Sequence, residues 1–235
     1  MHLINIAGRQ IQFTLVFKKR KTIQLKIVGP NMIQISAPTK TPKDDICAVI
    51  QSKKKWLIEK LDHLQKLSEN PINKSLSHGS EILFMGTSYL LQYDHISNCL
   101  PSVQRESGII RISLNESSNP NSLLKKWYID QATQLLYERT THWSKKIGVQ
   151  PKRVVLKEQK SRWGSCSSLG NINLNWRIIM GPNEIIDYVI VHEICHLIEL
   201  NHSSKFWHLV NLYLPNYKEC RGWLKQNGCL LSLPF

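Results

Sequence analysis

Apolar and polar residues alternate along the first forty residues of the chain. The alternation covers residues 11–17, resumes at 23–27 after a basic run, and resumes again at 33–35 after Gly29-Pro30-Asn31. A period of two places every second side chain on the same face of a strand. The pattern therefore predicts three antiparallel strands, with the basic residues 18–21 in a hairpin turn between the first two strands.

A change of period then marks a helix. From Thr41 onward the apolar residues recur at helical spacing as far as Leu64, and Pro42 fits the first helical position. After a connector at 67–78, short alternating runs predict further strands, at 80–85, 87–93 and 109–114. No internal repeat is evident, so we expect residues 1–118 to form one antiparallel β-rich N-terminal domain with a helix.

The second half of the chain begins with a long amphipathic helix. Asn119 is a typical N-cap before Pro120, and the helical pattern ends before Gly148. A short strand follows at 153–158, and residues 182–191 open with Pro and turn strongly apolar, as a buried helix does. We therefore predict a second domain at 119–235, with a buried helix and a small sheet, and an α+β fold overall.

That buried helix leads into the most informative motif, His-Glu-x-x-His. His192 and His196 are four residues apart, so on a helix their imidazoles lie one turn apart on the same face and reach one ion. Glu193 lies about 100° round the helix from His192, close enough to address a water on that ion. The motif predicts a hydrolytic zinc site with His192 and His196 as ligands and Glu193 as the catalytic acid/base.

A third ligand is expected where the chain reverses. A catalytic zinc takes three protein ligands and keeps one position open for water. With Asn201 as a left-handed helix terminator and Ser203 as the next N-cap, His202 falls in the turn and is the favoured third ligand. Its rivals are Glu199 and Glu219, and ordinary helix and capping histidines are the non-metal alternative.

The segment 171–176 carries a very clear alternation. Its apolar residues share one face and three asparagines share the other. An exposed strand edge above the active helix pairs with an extended substrate backbone, so Asn173 and Asn175 are candidate substrate-binding residues. An ordinary half-buried strand is the equally weighted alternative.

Composition and charge narrow the class of protein. The chain lacks a signal-peptide pattern and any membrane-length apolar run, so a cytoplasmic protein is expected. Residues 1–119 hold 16 Lys and Arg against 9 Asp and Glu, and residues 120–235 hold 15 against 8, so each half carries half of the net charge of +14. Because the excess is spread out, solvated turns and helix faces are favoured over a nucleic-acid patch. No pattern indicates an oligomeric state.

Several further segments accompany the motif in order. They are 161–166 (Ser-Arg-Trp-Gly-Ser-Cys), 173–177 (Asn-Leu-Asn-Trp-Arg), 187–193 (Asp-Tyr-Val-Ile-Val-His-Glu), 201–203 (Asn-His-Ser) and 206–207 (Phe-Trp). Together they resemble the YgjP-like metallopeptidase family, related to the SprT-like and WLM groups of zincins. The resemblance implies a zincin-like catalytic domain, with His192, His196 and His202 as metal ligands and Glu193 as the catalytic acid/base.

The first hypothesis for function is therefore a zinc-dependent peptidase acting on a peptide or protein. Arg162 and Tyr188 are candidates for binding substrate or stabilising an oxyanion. Two alternatives keep the metal: a nucleotide phosphoanhydride hydrolase on the same site, and a basic nucleic-acid-associated protein with structural zinc. The second alternative requires a fourth protein ligand that closes the metal site.

Overall fold

Two separate hydrophobic cores divide the chain. The structure is a computed structural model that describes residues 2–29, 31–69, 76–97, 100–159 and 162–235. It separates into two compact units, Met1–Asn70 and Pro71–Phe235. The predicted α+β class is confirmed. The predicted boundary between residues 118 and 119 falls inside the second unit and stays a prediction about domain organisation.

The first unit is a four-stranded sheet with two helices. In chain order these are β1 (His2–Ile6), β2 (Arg9–Phe17), β3 (Gln24–Gly29), β4 (Met32–Ala37), α1 (Lys43–Ser52) and α2 (Lys54–Glu69). The sheet has the order β1-β2-β4-β3, and β2 pairs with β4 in parallel. The predicted hairpin at 18–21 is therefore wrong, because β2 and β3 are not neighbours. The core of the first unit consists mainly of isoleucines and leucines, including Ile33, Ile35 and Leu61.

The second unit begins with another four-stranded sheet and a long helix. These are β5 (Glu81–Phe84), β6 (Thr87–His95), β7 (Ser102–Glu106), β8 (Ile109–Leu114) and α3 (Pro120–Ile147). The N-cap prediction is confirmed, since the Asn119 side chain accepts a hydrogen bond from the Ser122 amide. The left-handed backbone of Gly148 ends the helix, as predicted from the sequence.

The remaining elements surround the motif. They are β9 (Arg153–Lys157), β10 (Gly164–Cys166), β11 (Asn171–Asn175), a 3-10 helix (Trp176–Met180), α4 (Asn183–Cys195), α5 (Ser204–Tyr213), α6 (Tyr217–Asn227) and a terminal 3-10 turn (Gly228–Leu230). The small sheet has the order β10-β11-β9. Within the described residues no helix is both long and apolar enough to cross a membrane.

The same chain path occurs in both units, although the sequence shows no internal repeat. The sheet β5-β6-β8-β7 repeats the strand order and the strand directions of β1-β2-β4-β3. Each first hairpin has a two-residue turn with positive φ at both positions, Ala7-Gly8 and Met85-Gly86. This backbone is the type I′ turn that matches the twist of paired strands.

In the second unit this turn supports helix α4. The amides of Met85 and Gly86 donate to the carbonyls of Ile179 and Met180 at 2.8 and 3.0 Å. A Cβ atom on Gly86 would lie 2.9 Å from Cα of Pro182, so only glycine allows this approach to the start of α4. The turn therefore helps to fix where the motif helix begins.

Contacts from helix α3 also hold α4 in place. Arg139 forms an ion pair with Asp187 at 2.8 Å, and the Trp143 indole donates to the same carboxylate at 3.0 Å. The side chain of Asn183, at the first residue of α4, accepts a second hydrogen bond from Arg139 at 2.7 Å. These contacts hold the motif helix in place before any ligand is present.

Candidate metal centre

Helix α4 ends inside the motif. Its last helical residue is Cys195, so His192 lies in the final turn and His196 is the C-cap. The chain then tightens into a turn in which the Glu199 amide donates to the Cys195 carbonyl at 3.0 Å. Asn201 has no left-handed backbone, so the predicted terminator is wrong. The earlier end starts the chain reversal about one turn sooner than predicted.

The reversal brings His202 back to the helix. The predicted cap is confirmed, because the Ser203 hydroxyl accepts a hydrogen bond from the Phe206 amide at the start of α5. Nε2 of His202 lies 3.0 Å from Nε2 of His192. One ring nitrogen from each of His192, His196 and His202 lies within 4.8 Å of the others. Three imidazoles thus converge on one small space.

Neighbouring groups fix the orientation of two of these rings. Nδ1 of His196 lies 3.0 Å from the Glu199 carbonyl oxygen, which only accepts, so Nδ1 carries the proton and Nε2 is the available ligand atom. The His196 ring stacks on Phe206 with centroids 4.4 Å apart. The His202 ring stacks on Trp207 with centroids 5.5 Å apart. The site is therefore ordered by its surroundings.

His192 and His202 favour the neutral form that a ligand needs. Burial, with the adjacent His196 and His202, lowers the pKa of His192 to about 3. Burial also lowers the pKa of His202. Among the described residues, neither Glu199 nor Glu219 joins the group. Three imidazoles facing a common point fit a zinc ion that keeps one position open.

Glu193 lies beside the three imidazoles in a dry position. Its side chain is buried, and Oε2 has no hydrogen-bond partner among the described residues. Burial raises the pKa of this carboxyl to about 8, and the positive charge of Arg162 opposes the rise. A buried carboxyl without a partner is costly for stability. Such a group is typical of a residue that exchanges protons with a bound molecule.

Gly164 explains why the segment 161–166 lies next to the motif. A Cβ atom at Gly164 would lie 2.5 Å from Oε1 and 2.6 Å from Cγ of Glu193. Strand β10 therefore packs its backbone directly on the catalytic candidate, which only glycine permits. Sequence reasoning missed this residue, although a glycine inside a strand is a signal of close approach. Ser161, the first residue of the segment, lies outside the described residues.

The exposed edge next to α4 belongs to β10. Strand β11 is central, paired with β9 on one side and with β10 on the other. The predicted free edge at 171–176 is therefore wrong, because alternation reports which side chains are buried and not which strands are neighbours. The buried face is confirmed, since Ile172, Leu174 and Trp176 all lie in the core.

The two predicted asparagines lie within the small sheet. Asn173 donates to the Ser165 hydroxyl at 3.1 Å, across the β10–β11 pair. Asn175 is buried, and its amide donates to the carbonyls of Gln159 and Arg162 at 2.8 and 3.2 Å. Neither side chain lines the cavity beside the motif. Their contacts hold the approach to β10 in place.

Tyr188 does line that cavity. The cavity has a volume of about 230 Å³ and opens beside the motif. It is lined by Trp163, Gly164, Tyr188, Val189, His192, Glu193, Arg221 and Leu224. Burial raises the pKa of Tyr188 to about 12, so its hydroxyl stays protonated at neutral pH. Arg162 is exposed and does not line the cavity, although its charge acts on Glu193.

Arg221 is the second site residue that the sequence did not reveal. It lies on α6, almost twenty residues beyond His202, and no local motif surrounds it. Only the packing of α6 against α4 brings it to the cavity.

Comparison with known proteins identifies a family. The family profile described as "YgjP-like, metallopeptidase domain" matches residues 21–227. Two similar solved structures are metallopeptidase zymogens: abylysin of Pyrococcus abyssi and jannalysin of Methanocaldococcus jannaschii. They are 26% and 19% identical to the chain, each with a TM-score of 0.35. The abylysin match covers 38% of this chain and 93% of that protein, and the jannalysin match covers 39% and 94%. No curated protein matches the chain significantly.

Proposed function

This chain belongs to the YgjP-like metallopeptidase family, and we propose that it hydrolyses peptide bonds with a zinc ion held by His192, His196 and His202. Membership supports a metal-dependent peptidase. The ion and the role of each residue are our assignments. They rest on the three converging imidazole nitrogens and on the preference of zinc for such a donor set.

Glu193 is the acid/base of the proposed reaction. A zinc ion bound by these three histidines would polarise a peptide carbonyl and make a water molecule more acidic. Glu193 accepts a proton from the attacking water as the water oxygen bonds to the carbonyl carbon, and delivers that proton to the leaving amine as the C–N bond breaks. Because burial raises the pKa of Glu193 to about 8, its carboxyl is suited both to accepting and to releasing a proton near neutral pH.

The observation that carries this proposal is the pairing of an open three-histidine group with a buried, unpartnered carboxylate oxygen. Among the described residues no fourth His, Cys, Asp or Glu joins the histidines. A structural zinc site is closed by four protein ligands, whereas a catalytic site keeps a position open. The arrangement therefore supports hydrolysis over a purely structural metal.

Within the described residues one edge of β10 pairs with no strand, and this edge is suited to hold the substrate backbone. The Trp163 carbonyl accepts from the Asn175 amide, and the Ser167 amide donates to the Asn171 carbonyl. In an antiparallel pair, residues whose backbone groups bond to the partner strand alternate with residues whose backbone groups point away from it. The backbone amides and carbonyls of Gly164 and Cys166 are thus directed to the open edge, where an extended peptide adds as a further strand. We place the hydroxyl of Tyr188 near the reacting carbonyl.

The substitution Glu193→Gln tests the proposal. It keeps the shape of the side chain and removes its proton exchange, so turnover should fall by at least about 100-fold. Zinc content, measured by inductively coupled plasma mass spectrometry, should stay at that of the unsubstituted protein. Hydrolysis of a denatured protein is followed by mass spectrometry of the released peptides.

A second glutamate on the same helix serves as the control. Glu184 is exposed in the first turn of α4, so Glu184→Gln should leave turnover unchanged. Undiminished hydrolysis by Glu193→Gln would refute the assigned role. A parallel incubation with nucleoside triphosphates tests the phosphoanhydride alternative, and we expect no release of phosphate.

A further inference from the structure

One cationic group faces the cavity beside the motif. Arg221 lines that cavity together with His192 and Glu193. Its guanidinium lies over the Trp207 ring, 4.9 Å from the ring centroid. Trp207 in turn stacks on Tyr217, with centroids 5.3 Å apart. A cation held over an aromatic face is positioned without being neutralised.

Among the described residues no carboxylate forms an ion pair with this guanidinium. Two arginines elsewhere in the second unit are paired: Arg139 with Asp187 and Arg177 with Glu158. Arg221 forms no such pair in the described part of the chain. Its charge acts instead on the site, since it opposes the burial that raises the pKa of Tyr188. The five donors of a guanidinium match a carboxylate in a bidentate arrangement.

The other lining residues and the volume of the cavity limit which ligands fit it. Trp163, Val189 and Leu224 supply apolar surface, and Glu193 is the one acidic lining residue. The volume of about 230 Å³ is below the ~300–1,000 Å³ of sites for larger small molecules. A single amino-acid residue of a substrate fits this space better than a longer segment does.

Resting on the proposed peptidase function, we propose that Arg221 makes this cavity a subsite for a substrate residue that carries a carboxylate. Glu193 lines the cavity and delivers the proton to the leaving amine. The residue that the cavity receives is therefore the one that bears that amine, directly after the cleaved bond. The carboxylate belongs either to the C-terminus of the peptide or to an acidic side chain.

Two matched pairs of acetylated dipeptides distinguish these sources. The first pair is acetyl-leucyl-phenylalanine as the free acid and as the amide. The second pair is acetyl-leucyl-glutamic acid amide and acetyl-leucyl-glutamine amide, which differ in the side chain alone. Binding is measured by isothermal titration calorimetry on zinc-loaded Glu193→Gln protein, so that the probes are not consumed.

We expect the carboxylate member of at least one pair to bind about 10-fold more tightly than its neutral partner, since a charge-assisted hydrogen bond contributes that much. Arg221→Gln should remove this difference. Arg221→Lys should retain part of it, because the positive charge remains while the bidentate hydrogen bonding of the guanidinium is lost. Lys225→Gln is the matched control, since Lys225 is exposed on the same helix and does not line the cavity. That variant should keep the difference.

Equal binding within both pairs would overturn the subsite, as would a preference that survives Arg221→Gln in protein of unchanged zinc content. The proposed function is tested separately by incubating the same dipeptides with Glu193-intact protein. Arg221-dependent binding without cleavage would support the subsite and contradict the peptidase. Cleavage that ignores the carboxylate would support the peptidase and overturn the subsite.

Discussion

Gly164 shows how one residue without a side chain supports the proposed chemistry. The backbone of β10 lies so close to Glu193 that any side chain at position 164 would overlap the carboxylate. This close packing is part of the burial of Glu193, and burial raises the pKa of its carboxyl. Gly164 is therefore a positioning residue, which acts through the glutamate that it covers.

Replacing Gly164 with alanine should impair turnover more than metal binding. The new Cβ atom would lie 2.5 Å from Oε1 of Glu193, so the carboxylate or the strand has to move. A displacement of this kind near reacting groups costs on the order of 100-fold in rate. Turnover and zinc content are measured on the same sample.

Gly222→Ala provides the matched control for that substitution. Gly222 lies in helix α6, and a Cβ atom there meets nothing within 4 Å. Alanine should stabilise the helix by up to ~1 kcal/mol and leave turnover intact. If Gly164→Ala were as active as Gly222→Ala, the close packing of β10 on Glu193 would not contribute to turnover.

At the scale of elements, the central strand β11 holds the segment that leads into β10. Asn175 is the link, because its buried amide joins β11 to the carbonyls of Gln159 and Arg162. The side-chain oxygen of Asn175 also accepts a hydrogen bond from the Arg177 amide, at the start of the 3-10 helix that follows β11. The Asn175 side chain thus sets the positions of the segment that leads into β10 and of the 3-10 helix that follows β11.

Asn175→Ala should lower the free energy of unfolding by about 2–3 kcal/mol, since two backbone carbonyls lose their donors. Urea denaturation followed by tryptophan fluorescence measures this change. Asn171→Ala, on the same strand, is the control, because the Asn171 side chain forms no hydrogen bond within the described residues. Equal stability of the two variants would show that the Asn175 contacts carry no net stabilisation.

Elements with strong local signals could be predicted from the sequence. The caps at Asn119 and Ser203 and the buried face of 171–176 are confirmed, because each depends on residues a few positions apart. The edge position of β10 and the parallel pairing of β2 with β4 were not predictable in this way. Alternation sets the faces of a strand, whereas its neighbours depend on how distant segments pack.

In the candidate site, too, features set by local sequence were predictable and features set by tertiary packing were not. The convergence of His192, His196 and His202 was expected from their spacing and is present in the structure, while their role as ligands stays a prediction. The early end of α4, the cover provided by Gly164 and the cationic Arg221 came only from tertiary packing. Local sequence therefore indicated the atoms proposed for the metal, and long-range packing supplied the surroundings proposed for the substrate.

At the scale of the whole molecule, every residue of the proposed site lies in the second unit, which has its own core. The first unit repeats the sheet topology that opens the second. It has no counterpart of the His-Glu-x-x-His motif. In the second unit, the repeated hairpin turn at Met85-Gly86 supports the segment before α4. The proposed function thus depends on one metal centre built on α4 and the turn that follows it.

X-ray absorption spectroscopy of the zinc-loaded full chain tests that centre most directly. We expect one zinc per chain with three imidazole nitrogens at about 2.0–2.1 Å and one solvent oxygen. His202→Ala should reduce the imidazole count to two and weaken zinc binding. A sulfur ligand near ~2.3 Å, a fourth protein ligand, or a spectrum unchanged by His202→Ala would refute the proposed metal centre.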